Sequence, residues 1–181
     1  MSFLRPLGLL LALSLPSLAL GSTGPLQTIT ELARGSDRVV LARVLDSRVR
    51  VPEGNVRQMT TLFRLEVLET YQGKGPAAVE LVQVGGKSGL WESRLAGDAT
   101  VTVGETALFF LRCPDPKAVE RCALVGLAAG KQTVTSGAEG ARQVQLNGRV
   151  QGGPAQRPLE AVIDEIRRAS PPPAKQERGK R

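Results

Sequence analysis

The chain has 181 residues, 24 Lys and Arg against 17 Asp and Glu, two cysteines and no histidine. The missing histidine excludes Ser-His and Cys-His nucleophile pairs, histidine-ligated metals and the commonest general base. Most of the +7 charge sits in 167–181, RRASPPPAKQERGKR, and the rest of the chain past the leader is nearly neutral.

The chain opens MSFLRPLGLLLALSLPSLALGS. Arg5 makes a short positive region, Leu7 to Leu20 an apolar run broken by Pro16, and Ser17-Leu18-Ala19 and Ala19-Leu20-Gly21 offer small-residue cleavage patterns. This is the pattern of a secretory signal peptide, assigned to 1–21. The run is short for a bilayer span. No later segment is long and apolar enough to cross, so the mature chain is expected to have no transmembrane segment. The expected location is secreted, or periplasmic and cell-envelope. A single domain is expected over 22–169, and a disordered, basic, Pro-rich tail over 170–181.

PLQTITELARGSD (25–37) predicts a short helix. Leu26, Ile29, Leu32 and Ala33 share one face, Thr28 and Glu31 have capping-box spacing, and Gly35 is a stop. DRVVLARVLDSRVRV (37–51) predicts a long strand. Its first half is apolar on both faces: Val39, Leu41 and Leu45 on one, Val40, Ala42 and Val44 on the other. Its second half alternates, with Arg48 and Arg50 on the polar side. Such a change in burial predicts a bend or bulge. QMTTLFRLEVLETY (58–71) returns as the second arm of a hairpin. Met59, Thr61, Phe63, Leu65 and Val67 face one way, and Leu62 and Leu68 interrupt the polar face.

AAVELVQVGG (77–86) is a third strand ended by two glycines, and KSGLWESRLAGDAT (87–100) reads as a loop. A turn at Gly104 precedes a buried strand, Thr106–Leu111. RCALVGLAAG (121–130) returns from a loop, and KQTVTS and ARQVQLNGRVQ add short strands. Asn147-Gly148 carries a two-residue hairpin signal. RPLEAVIDEIRRAS (157–170) is an amphipathic helix with Leu159, Val162, Ile163 and Ile166 as its stripe. Pro158 fits its first turn, and Arg167 and Arg168 suit its C-terminal dipole.

The cysteines, Cys113 and Cys122, stand nine residues apart around PDP. An exported chain with an even cysteine count favours a disulfide. Closing so short a loop contributes about 2.5–3 kcal/mol in the chain-entropy treatment. A thiolate metal site needs further ligands, and a redox pair usually has Cys-x-x-Cys spacing. No metal site and no cofactor are expected.

Short antiparallel strands with a helix at each end predict a mainly β fold, a five-stranded OB-like antiparallel barrel with short N-terminal and C-terminal helices. A β-sandwich is the alternative. The succession VVLARVLDSRVRV, TTLFRLEVLETYQGKG, VELVQV and VGETALFFL resembles the netrin-like and tissue-inhibitor-of-metalloproteinase-like barrels over 38–127. The resemblance implies a protease-inhibitor-like binding module. Those inhibitors use a disulfide-held N-terminal cysteine. Here the mature N-terminus falls near Ser22, which has no cysteine beside it, so that mechanism transfers to no residue.

No catalytic residues are assigned. Glu66 and Glu69 fall on opposite faces of a regular strand. Asp164 and Arg168 form an i,i+4 surface pair on the helix. Lys87-Ser88 has the residue types of a Ser-Lys nucleophile, but adjacent positions read as solvated loop. Gly85, Gly86 and Gly89 lack the Lys-Ser/Thr ending of a P-loop. Trp91 is the only tryptophan. With Lys87, Glu92 and Arg94 near it, it is either a binding residue or a lid folded over the barrel end. Tyr71, at a strand-turn junction, is a further binding candidate. The near-neutral body and scarce aromatics exclude nucleic acid as the expected partner. The expectation is a non-catalytic interaction module whose partner is a protein, such as an extracellular protease, or an envelope polymer. A structural component of the cell envelope or extracellular matrix is the alternative. A hydrolase with a carboxylate site ranks last.

Overall fold

The structure is a computed structural model that describes residues 26–53, 55–114, 121–137, 140–147 and 150–170. The expected signal peptide and all but Ser170 of the expected tail lie outside the described residues. Among the described residues no helix is long and apolar enough to cross a membrane.

Helix α1 (Ile29–Arg34) opens on the capping box read from the sequence: Thr28 Oγ1 accepts from the Glu31 amide, and the Thr28 amide donates to the Glu31 carboxylate. These bonds satisfy amides that a helix start leaves unpaired. Ile29, Leu32 and Ala33 are buried, whereas Leu26 is 51% exposed because it precedes the first turn. Gly35 caps the helix in a right-handed conformation.

Among the described residues nine strands form one connected sheet: β1 (Arg38–Arg50), β2 (Thr60–Gln72), β3 (Ala78–Ser88), β4 (Trp91–Arg94), β5 (Thr106–Arg112), β6 (Arg121–Leu124), β7 (Lys131–Ser136), β8 (Arg142–Gln145) and β9 (Gln156–Pro158). The order β1-β2-β3-β6-β5 closes on itself because β1 also pairs with β5. The ring is antiparallel except at β3–β6. From β5 the sheet continues through β7 and β8 to β9, and β4 hangs from the end of β3. Helix α2 (Leu159–Ala169) follows β9 directly.

The two-sided apolar half of β1 has a direct explanation. Val40, Ala42 and Val44 point into the ring with Phe63, Leu65, Val79, Leu81, Ala107, Phe109 and Leu111. Val39 and Leu41 point outward, with Leu108 and Phe110 of β5, under α1 and α2. Strands β1 and β5 therefore serve two cores at once, and every residue from Ala107 to Leu111 is buried. Each such Leu or Phe contributes about 1.5–3 kcal/mol by burial.

Register shifts mark three bulges between β1 and β2. Val44 pairs with Leu65 and Asp46 with Arg64, so Leu45 is an extra, unpaired residue and is 37% exposed. That corrects its placement with Val39 and Leu41. Leu68 is likewise skipped between the Leu41–Glu69 and Ala42–Val67 pairs. Its interruption of the polar face is the sequence trace of a bulge. On either side of the last bulge, the cross-strand pairs Arg43–Glu66 at 3.8 Å and Asp46–Arg64 at 3.4 Å line the outer face. Exposed pairs of this kind contribute little stability but favour one register.

Helix α2 buries the predicted stripe, Leu159, Val162, Ile163 and Ile166, and adds Ala169. Pro158 caps it rather than entering its first turn. Asp164 pairs with Arg167, three residues on at 3.6 Å, instead of Arg168. The Gln72 side chain, at the end of β2, donates to Ala33 O and Ser36 O at 2.9 and 2.7 Å. It thereby ties β2 to the end of α1, adding a second donor to Ala33 O, which also accepts from the Ser36 amide at 3.1 Å. The Ser170 hydroxyl reaches Gln72 Oε1 at 2.7 Å, so both helices meet on one β2 side chain.

Two local readings need correction. The segment 87–100 is not a loop throughout: β3 runs on through Gly85 and Gly86 to Ser88 and turns back as β4. The expected Asn147-Gly148 hairpin is not formed from its flanking segments. Strand β8 pairs with β9, and Val150 bridges Gln27 instead; Gly148 itself lies outside the described residues. The Asn147 side chain is engaged locally, donating to Lys131 O at 2.9 Å.

Candidate functional site

The cysteines form the expected disulfide, Cys113–Cys122, with both residues buried at the rim of the ring core. Cys122 lies in β6 and Cys113 follows β5, so the link joins the ends of two neighbouring ring strands. The Asp37 carboxylate accepts from the Cys113 amide at 2.8 Å and fixes the same corner.

At the other end of β3, the strand leaves the ring and projects as a hairpin. The pairs are Gly85–Arg94, Gly86–Ser93, Lys87–Glu92 and Ser88–Trp91. Gly85 has φ +97°, and a Cβ there would lie 2.3 Å from Ser93 O, so only glycine lets β4 approach. The base is held by the Gly85 amide donating to Met59 O at 2.8 Å and by Thr61 Oγ1 donating to Gly85 O at 2.8 Å. The turn is Gly89-Leu90, with positive φ at Gly89 only, the pattern of a two-residue II′ hairpin.

This turn sets its side chains in solvent. Leu90 is 102% exposed and Trp91 is 62% exposed. Trp91 is therefore not a lid over the ring. Val84 and Leu95 add exposed apolar surface at the hairpin base. Lys87, Glu92 and Arg94 are exposed too, and among the described residues none of them forms an ion pair.

A cleft of about 140 Å³ runs between the hairpin and 98–101, with Gln83, Lys87, Arg94 and Asp98 among its lining. Gln83 Nε2 donates to Ala99 O at 3.0 Å, and Asp98 Oδ1 accepts from the Ala99 amide at 2.8 Å. Burial pushes the Asp98 carboxyl above its ordinary pKa, against the opposing pull of the Ala99 amide, Gln83 and Arg94.

No family model matches the chain, and no curated protein is significantly similar to it.

Three of the four expected binding residues, Lys87, Trp91 and Arg94, share the hairpin. Tyr71 does not join them. It is half-buried against the helix-side core and donates to Glu69 Oε2 at 3.0 Å. Burial and then Glu69 push its phenol far above the ordinary value. Glu69 also bonds Arg142, which holds its carboxyl below the usual range.

The bulge at Leu68 puts Glu66 and Glu69 on the same face, opposite Arg43 and Leu41, which corrects the opposite-face expectation. Each carboxylate is nevertheless engaged by its own arginine, Glu66 by Arg43 and Glu69 by Arg142. Lys87 and Ser88 are consecutive strand residues, so their side chains leave opposite faces. Gly85, Gly86 and Gly89 serve the hairpin backbone. The sequence reading missed Leu90, the most exposed apolar residue among those described. Its signal was the Gly-x pair between a β-rich run and WESR.

Proposed function

We propose that the chain is an exported, non-catalytic binding module that presents the β3–β4 hairpin to a protein partner. The observation that carries this is the exposure of Leu90 and Trp91 side by side on an anchored turn. Trp and Arg supply most binding hot spots, and a hairpin with its base fixed loses little entropy on docking. Lys87, Glu92 and Arg94 give that apolar tip a polar rim, the usual anatomy of a contact surface.

Export is supported by the leader pattern of 1–21 and by the disulfide. The five-strand ring, with its long β1 paired on both sides, favours an OB-type barrel over a β-sandwich. The resemblance to netrin-like barrels names an extracellular protease as the partner class to try first.

A structural role through strand pairing has less support. Beyond Val44 the outer half of β1 is exposed, but it carries Asp46, Arg48 and Arg50. Charges on an edge oppose strand addition.

The test is Trp91→Ala. A binding residue predicts loss of partner retention with the melting temperature shifted by no more than about 2 °C. A drop of many degrees would instead make Trp91 a packing residue and overturn the reading.

A further inference from the structure

At the opposite end of β3 from the hairpin lies a second feature that a protein-binding tip does not use. Arg38, the first residue of β1, is 1% exposed. Its Nη2 donates to Pro76 O at 3.3 Å, while Nε and Nη1 are buried without any hydrogen-bond partner. The guanidinium is packed against the β2–β3 turn, where a Cβ on Gly75 would lie 2.5 Å from Nη1. A buried charge lacking an opposite charge is expensive, and burial pulls Arg38 below its ordinary pKa.

Arg38 also forms part of the wall of an open cleft of about 640 Å³. Three further cations line it: Arg34 at the end of α1, Lys74 on the β2–β3 turn and Arg112 at the end of β5. Arg112 is held in place by donating from Nη2 to Gly35 O at 2.8 Å. Asp37 is the one carboxylate in the described lining, and it is already bonded to the Cys113 amide. Among the described residues, four cations from four separate elements thus surround one space with a single, engaged acid.

We propose that this cleft binds a phosphate group, held directly by Arg34, Lys74 and Arg112 and balanced through space by the shielded charge of Arg38. The charged forks of arginine suit oxyanions, and lysine adds a mobile point charge. The group is carried either by a free ion or by a phosphate-bearing chain. The site is independent of the hairpin reading: its cations lie on other elements.

The experiment measures the melting temperature of the disulfide-bonded protein in inorganic phosphate and in short-chain polyphosphate, against chloride at matched ionic strength. Saturable stabilisation of about 2 °C or more by at least one phosphate probe is expected. Stabilisation by inorganic phosphate points to the free ion, and stabilisation by polyphosphate alone points to a chain. Arg34→Ala with Lys74→Ala, two exposed positions, should weaken the response at least tenfold in concentration. Backbone NMR shifts on titration should centre on 34–38, 73–76 and 112–114. Equal stabilisation by chloride, an unchanged response in the double variant, or shifts centred elsewhere would overturn the proposal.

Discussion

Leu81 on β3 stands opposite Cys122 on β6, in the parallel register that closes the ring. Among the described residues that register involves Glu80–Arg121 and Leu81–Cys122, so little described backbone pairing holds β6 against β3. The disulfide to Cys113 anchors β6 from its other side, at the end of β5.

Replacing both cysteines by serine should therefore lower stability by about 2–4 kcal/mol, measured by urea unfolding. The loss should appear first as hydrogen exchange in β6. A change under about 0.5 kcal/mol would show that ring closure does not depend on the link.

Acid should destabilise the fold through Glu69 and Glu80. Arg142 lowers the Glu69 pKa; at Glu80 burial opposes, but Arg48 and Arg121 together prevail and lower it. A lowered folded-state pKa adds stability above the unfolded value, about 4.3, and that stability is lost as pH falls through the folded value. Unfolding free energy should be flat from about pH 7 to 5 and decline below it. Glu69→Gln should shrink that decline. An identical acid profile in the variant would remove Glu69 from the explanation.

Gly85→Ala should disrupt the hairpin, because the new Cβ meets the Ser93 carbonyl in a left-handed conformation. The expected cost is about 3 kcal/mol or more, backbone strain plus the clash. Gly89→Ala meets no atom within 4 Å and should cost only its left-handed backbone, about 1–2 kcal/mol. Equal effects at both positions in denaturant unfolding would contradict the close approach at Gly85.

Much of this architecture was legible where one local pattern met one environment. The Leu159, Val162, Ile163 and Ile166 spacing defined α2, and the apolar-on-both-faces half of β1 announced a strand shared by two cores. The reading failed where tertiary partners decided. Gly85-Gly86 looked like a strand end, yet Thr61 and Met59 carry the strand through them. Asn147-Gly148 looked like a hairpin, yet Gln27 takes Val150 and β9 takes β8. The Arg38 cleft gave no sequence signal, because Arg34, Lys74 and Arg112 converge only through the ring's topology.

The hairpin reading is tested most directly by passing the native secreted fraction over immobilised wild type and Trp91→Ala and quantifying each retained protein. At least one protein should bind wild type and lose about thirtyfold in affinity with the variant, the size of a hot-spot deletion. Identical retention by the two would contradict a binding role for the tip.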